Sequence, residues 1–321
     1  MLSLRVLASV AVLAGIAHFP AHSADYPTRP IRLVVGYTAG GGSDILARVI
    51  AQKMSEGLGV QVIVENRPGA ASMIATEYVA RAEPDGYTIL LGASGSLAIN
   101  PALYKEVKYD SAKDFAPISL VASLPVLMAV NKSGPAQNLP DLIKYAKANP
   151  DKANYSSAAA PFRLIGEQIN LQAGTKFQEI NYKGSTDAVN AAVAGDVLAT
   201  ISDSISIGVG IKTGKLQPIA ITSPKEHPSF PGVPTFTSLG LKGLDMQLWQ
   251  GLLAPAGTPP AIIERLEREV HRVIALPEVR QRYAGMGLDP ETNTASEFTA
   301  LIQSELKRWG DIVKAAGIPK L

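Results

Sequence analysis

The stretch Val35-Gly36-Tyr37-Thr38-Ala39-Gly40-Gly41-Gly42-Ser43-Asp44 decides how the rest of the chain is read. It leaves the β-branched run Ile31–Val35, turns through a cluster of glycines, and enters a helical apolar pattern over residues 45–54. Glycine lets the backbone turn tightly and bring bare N–H groups close to a ligand. A helix starting at Ser43 or Asp44 adds unpaired N–H donors and about half a positive charge. The segment either simply reverses the chain or seats a carboxylate or another anion. It is not a dinucleotide loop, because Ile45 stands where the third glycine of G-x-G-x-x-G belongs.

Outward from this loop, the first unit continues with a strand pattern at 60–64, a helix at 74–82 and a strand at 88–91, with Pro84-Asp85-Gly86 as a turn. A second unit of the same style opens with a strand at 126–130 and a helix at 139–148. Asn138 is its expected cap, and Pro140 lies in its first turn. Strands at 154–157, 179–181, 197–202 and 216–222 alternate with helices at 164–172 and 186–194. A strand at 247–254 precedes helices at 260–275, 278–284 and 295–316. The alternation predicts an α/β fold of two lobes, each a mostly parallel sheet flanked by helices, with a ligand cleft between them.

Composition narrows the chemistry. The 321 residues are 46% hydrophobic and 18% charged, enough apolar content for about two packed domains. Formal net charge is +2, and the scattered Lys and Arg build no stripe for nucleic acid. The absence of cysteine excludes disulfides, thiolate nucleophiles, iron–sulfur sites and cysteine-held zinc. Residues 1–24 read as a secretory signal peptide. Arg5 precedes an apolar run at 6–16 that is too short to span a bilayer comfortably, and cleavage is expected after Ser23 or Ala24. The alternative is an uncut N-terminal anchor. Cleavage also removes His18 and His22, leaving His227 and His271, both expected at the surface. These are poor material for a catalytic triad or a metal site, so neither metal nor cofactor is expected.

Several other segments sit where a strand gives way to a loop. Ser94 and Ser96 follow a strand and read as hydroxyl donors or as a plain polar loop. Gly92-Ala93-Ser94-Gly95-Ser96 lacks the second glycine of a nucleophile elbow. Lys212-Thr213-Gly214-Lys215 is no phosphate loop, since Leu216 replaces the hydroxyl residue and Val209 the first glycine. The loop holding Ser157, Ala158 and Arg163 repeats the strand–loop–helix arrangement in the second unit. Arg163 is suited to a bidentate grip on a carboxylate, or else faces solvent or pairs with Glu167. Lys183 lies in a comparable loop. Asp203 is a ligand acceptor, a holder of water, or the cap of the helix that follows. The charged helix at 264–272 reads as a solvated face, and Trp249 and Trp309 as core or lobe-packing residues.

Segments spread over the chain carry a resemblance. They include Tyr26-Pro27-Thr28-Arg29-Pro30-Ile31, Gly41-Gly42-Ser43-Asp44, Val64-Glu65-Asn66-Arg67-Pro68-Gly69-Ala70, and Pro84-Asp85-Gly86-Tyr87-Thr88. Lys113-Asp114-Phe115-Ala116-Pro117, Tyr182-Lys183-Gly184, Val233-Pro234-Thr235, Trp249-Gln250-Gly251-Leu252 and Ala254-Pro255-Ala256-Gly257-Thr258-Pro259 continue it in order. With these motifs the chain resembles the Bug family, the periplasmic receptors of tripartite tricarboxylate transporters.

The resemblance implies a two-lobed binding protein, monomeric and periplasmic, that closes on a small organic carboxylate and delivers it to membrane permease subunits. It implies lobe 1 at 25–123 and 249–321, lobe 2 at 124–248, and hinges near Leu124 and Trp249. It assigns the carboxylate to Tyr37, Thr38, Ala39, Gly41, Gly42, Ser43 and Asp44, with Ser94 and Ser96 beside them. The second lobe contributes residues 157–163 and the neighbourhoods of Lys183 and Asp203. In the family the second-lobe loop is usually glycine-rich and followed by His-Leu, whereas here it reads Ala158-Ala159-Ala160-Pro161-Phe162-Arg163-Leu164. A narrower pocket is expected, with Arg163 meeting a second carboxylate or Phe162 packing on an aromatic ring, which favours a dicarboxylate or an aromatic acid. The alternatives are a ligand-sensing module for a membrane kinase and an exported carboxylic-ester hydrolase, the latter disfavoured by the histidine count.

Overall fold

A computed structural model describes residues 26–315 and residue 320. The predicted leader at 1–24 lies outside the described residues. Strand β1 (Ile31–Val35) leads through the glycine loop into α1 (Gly42–Leu58), one residue earlier than the sequence suggests. Helix α1 buries Leu46, Ile50, Met54 and Leu58 at four-residue spacing, and it stops at Gly59 in the left-handed conformation. Strand β2 (Val62–Asn66), α2 (Met73–Ala80), β3 (Thr88–Ala93) and α3 (Asn100–Leu103) follow.

The long β4 (Phe115–Asn131) leads to α4 (Leu139–Ala148), where Asn138 caps as expected by accepting the Asp141 N–H at 2.9 Å. Next come β5 (Asn154–Ser157), α5 (Ala160–Ala173), β6 (Gln178–Asn181), α6 (Ser185–Ala194), β7 (Ala199–Asp203), α7 (Ser204–Lys212) and β8 (Leu216–Ile221). Strand β9 (Gln247–Pro255), α8 (Pro260–Ala275), α9 (Pro277–Gly285), β10 (Asp289–Pro290) and α10 (Ala295–Ala315) complete the chain.

The strands run in the order β2-β1-β3-β9-β4-β7-β5-β6, with β8 and β10 also paired to β4. Both outer triplets are parallel, β2-β1-β3 and β7-β5-β6, as βα alternation requires. The centre is antiparallel: β9 joins β3 to β4, and β4 then joins β7 and β8. Strand β4 therefore belongs to both sections. It pairs with β9 up to Pro125 and with β7 from Val126 onward. Beside that junction, Thr222 Oγ1 accepts the Val126 N–H at 2.9 Å, and its carbonyl accepts the Met246 N–H at 2.9 Å. Helices α1, α8 and α10 pack on the first section, and α5, α6 and α7 on the second.

Three sequence expectations change here. The strand expected at 126–130 begins eleven residues earlier, at Phe115. Pro117 and Ser119 sit at a register shift, so proline is accommodated where the ladder is already broken. His227 is buried rather than at the surface. Its ring packs on Phe230, Nε2 stands 3.2 Å from Asp289 Oδ2, and Nδ1 accepts the Ser229 N–H. The helix at 264–272 is not wholly solvated either, since Glu269 is buried between Arg265 and Arg272. Trp249 and Trp309 are buried, as expected.

Candidate functional site

The carboxyl ends of β1, β3, β5 and β7 open on one cleft of about 610 Å³, a size suited to a small molecule. Because a βα turn places the next helix start beside the strand end, several helix N-termini meet there. Among the described residues no side chain caps α1, α5 or α6. Gly41–Ser43, Ala159–Pro161 and Gly184–Ser185 all line the cleft. At α1 and α6 the first-turn N–H groups lack intrahelical acceptors. At α5 only Ala160 offers one, since Pro161 has no N–H and the Phe162 N–H donates to the Ala159 carbonyl at 3.0 Å. The dipoles add partial positive charge at all three. Asp203, by contrast, caps α7: Oδ1 accepts the Ser206 N–H at 2.9 Å and Oδ2 the Ser206 hydroxyl at 3.0 Å.

The two walls differ in electrical character. The wall from the first section carries no charged side chain. It offers Tyr37, Thr38, Ser43, Ser94, the segment Gly69–Ser72, and Trp249 and Gln250 from β9. Gln250 Nε2 donates to Ser43 Oγ at 2.9 Å, and the Trp249 N–H donates to Ser94 Oγ at 3.3 Å, which leaves both hydroxyl protons available to a ligand. Gln250 Oε1 and Trp249 Nε1 are buried with no partner among the described residues. The Tyr37 phenol is pushed up to about 12 by burial and then by the Asp203 charge, so at neutral pH its hydroxyl keeps the proton. Ala70, Ala71 and Ser72 hold three successive left-handed conformations, a costly backbone for residues with a Cβ. The Asn100 amide pins the turn by donating to the Ala71 carbonyl at 2.9 Å.

All charge in the lining comes from the second section: Arg163, Lys183, Glu167, Glu179 and Asp203. Arg163 pairs neither with solvent alone nor with Glu167. Its Nε stands 3.6 Å from Glu179 Oε2 on β6. Ser157, fully buried in β5, donates to Glu179 Oε1 at 2.5 Å. Phe162 is almost wholly buried in the core.

Of the residues singled out from sequence, Tyr37, Thr38, Gly41, Gly42, Ser43, Ser94, Ala158, Arg163, Lys183 and Asp203 share the cleft wall. Four do not. Ala39 is exposed and does not line the cleft. Asp44 turns inward: its carboxylate accepts from the Gly40 N–H, Arg48 and the Asn66 amide, all at 2.9 Å. Burial pushes the Asp44 carboxyl up, but these three donors outweigh it and hold its pKa below the ordinary value. Ser96 is buried and donates to the Ala93 carbonyl, and Ser157 serves Glu179 instead of the cavity. Sequence reasoning did not single out Gly69–Ser72, Tyr104 and Glu179. Only the position of Pro68-Gly69 after β2 and of Glu179 within β6 could have signalled them.

The walls also touch each other. A Cβ added to Gly42 would stand 3.0 Å from Asp203 Oδ1, and one added to Gly184 would stand 3.2 Å from Thr38 Oγ1. The two sides of the cleft are thus in contact.

A family model described as the tripartite tricarboxylate transporter family receptor matches residues 46–318. Protein BugT of Bordetella pertussis is 33% identical over 319 residues, 98% of each chain. The structure of the periplasmic binding protein BugD superposes at TM-score 0.87 with 34% identity, covering 92% of this chain and 100% of that one. An R. palustris protein solved with adipate superposes at TM-score 0.89 with 32% identity, again covering 92% and 100%. With a family match over residues 46–318 and relatives of this identity over nearly their whole length, the chain belongs to the tripartite tricarboxylate transporter receptor family, the periplasmic solute-binding proteins that include BugT and BugD.

Proposed function

We propose that the protein binds one small organic carboxylate in the cleft and hands it to the permease of a tripartite tricarboxylate transporter. The observation that carries this reading is the convergence of three uncapped helix N-termini, α1, α5 and α6, on one cavity whose first wall holds no competing charge. Peptide N–H groups and hydroxyls aimed at an anion are worth about 1.5–3 kcal/mol each when charge-assisted. A micromolar receptor needs about −8 kcal/mol, which a handful of such bonds supplies with burial.

The lobes we assign are 25–123 with 249–321, and 124–248, closing about the crossings near Leu124 and Trp249. Residues 1–24 act as the export leader, cut after Ser23 or Ala24. Catalysis plays no part in this reading. Both histidines lie away from the cleft wall, His227 bonded to Asp289 and Ser229, and His271 to the Asn293 carbonyl. The adipate-bound relative supports the choice of a carboxylate.

The test is a thermal-shift screen of unfolded and refolded protein against mono-, di- and tricarboxylic and aromatic acids, with matched amides as controls. A dose-dependent rise with the acids and none with the amides is expected, since a ligand that binds only the native state raises its stability by mass action. No rise with any acid, refolding having been verified, refutes the reading.

A further inference from the structure

The far side of the cleft carries more negative than positive side-chain charge, and its one guanidinium is already partnered. The lining holds three carboxylates, Glu167, Glu179 and Asp203, against two cations, Arg163 and Lys183. Asp203 is committed to the start of α7 through Ser206. Glu179 is fixed from behind by the buried Ser157 hydroxyl and lies 3.6 Å from Arg163 Nε. Glu167, one turn further along α5 from Arg163, faces the same space. Both glutamates add to burial in pushing the Tyr155 phenol pKa upward, and Arg163 offsets them in part.

A second ligand carboxylate arriving there would have to draw Arg163 away from Glu179 and would face Glu167. A cationic group would instead meet Glu167, which has no ion pair among the described residues, beside a Glu179 shared with Arg163. Lys183, the other cation of the lining, stands in the loop that enters α6 rather than on α5 with Glu167.

We infer that the natural ligand is a zwitterion, a carboxylic acid with an ammonium or similar cationic group at its far end, and that Glu179, supported by Glu167, is the residue that selects it. This rests on the carboxylate reading of the cleft, with the ligand's carboxylate seated at the start of α1, and specifies the other end of the ligand. It also reverses the expectation that Arg163 recruits a second carboxylate. In this arrangement Ser157 is a positioning residue, holding Glu179 in place rather than touching ligand.

The experiment is calorimetric titration of the refolded protein with three matched series of three to six carbons: ω-amino acids, α,ω-diacids and plain monoacids. At the best chain length, the ω-amino acid is expected to bind at least tenfold more tightly than the diacid and the monoacid. Glu179→Gln is expected to abolish that preference, the ω-amino acid then binding within threefold of the monoacid of the same length. The wild-type comparison decides by itself should the variant fail to fold. Diacids binding as tightly as ω-amino acids, or a preference unchanged in Glu179→Gln, overturns the inference and leaves the carboxylate receptor intact. Binding by none of the three series overturns both.

Discussion

Replacing Gly42 by alanine adds one methyl group where the walls of the cleft meet. The new Cβ would stand 3.0 Å from Asp203 Oδ1, 3.0 Å from Ile205 Cδ1 and 3.2 Å from Ile205 Cβ. Ile205 can swing its terminal methyl aside, but Asp203 cannot follow. Its Oδ1 holds the Ser206 N–H at 2.9 Å, and retreat would uncap α7. Overpacking of this kind costs about 1–3 kcal/mol. Gly42 is the first residue of α1 and needs no left-handed backbone, so alanine there does not strain the open lobe. The cost therefore falls on the closed, ligand-holding form. Converted at 1.4 kcal/mol per tenfold, it weakens binding by between about fivefold and about 150-fold. The assay is calorimetric titration of wild type and Gly42→Ala with the tightest acid found by screening, beside urea unfolding of both in the absence of ligand. A dissociation constant within twofold of wild type would refute the reasoning, because the walls would then not meet at Gly42 when ligand is bound. Gly184→Ala provides a graded companion. Its Cβ crowds Thr38 Oγ1 at 3.2 Å, the end of an exposed side chain that can rotate, and meets Asp187 Oδ2 at an ordinary 3.9 Å, so a loss below about fivefold is expected.

Asp44→Asn should destabilise the fold by about 1–3 kcal/mol at neutral pH, because a buried carboxylate with three donors is replaced by an amide that cannot satisfy them all. The native Asp44 pKa is depressed, so its stabilisation is complete above the unfolded-state value near 3.9 and is lost as pH falls through the lower native value. The gap between wild type and variant in urea midpoints is therefore expected at pH 7 and should narrow below about pH 4. A gap that persists undiminished at low pH contradicts the assignment. Asn138→Ala removes the cap of α4 and should cost about 0.5–2 kcal/mol in the same measurement, with ligand affinity unchanged because the residue lies outside the cleft.

What sequence made legible was set by short-range rules. Strand and helix alternation gave the α/β class. Asn138 with Pro140 marked the start of α4, and the apolar spacing of 260–275 matched α8 end to end. The rules failed where a distant segment decides the outcome. Pro117 and Pro125 disguised the first half of β4, since nothing nearby reveals that a register shift will absorb one and a change of partner strand the other. Helical spacing pointed Arg163 to Glu167, four residues on, whereas the parallel pairing of β5 with β6 brings Glu179 beside it. Asp44 was placed with the ligand although Arg48, one turn later, already signalled an intrahelical pair. His227 looked exposed among prolines, and only the return of β10 to β4 supplies the Asp289 that makes its burial tolerable.

Strand β4 has a thermodynamic consequence. Proteins built from two lobes often melt in two steps, because each lobe keeps its own core and the connectors carry no ladder. Here one strand of seventeen residues pairs with the first section up to Pro125 and with the second from Val126. The larger apolar cluster also runs unbroken from Leu33 and Ile50 through Val121 and Val126 to Ile165 and Ile201. Unfolding either section strips one end of the shared strand of its partners and exposes apolar surface that the other section was covering. The free energy of the two sections is thereby coupled, and calorimetry of the ligand-free protein should record a single transition whose calorimetric and van't Hoff enthalpies agree. The strand that joins the two walls is what makes the protein fold, and fail, as one unit.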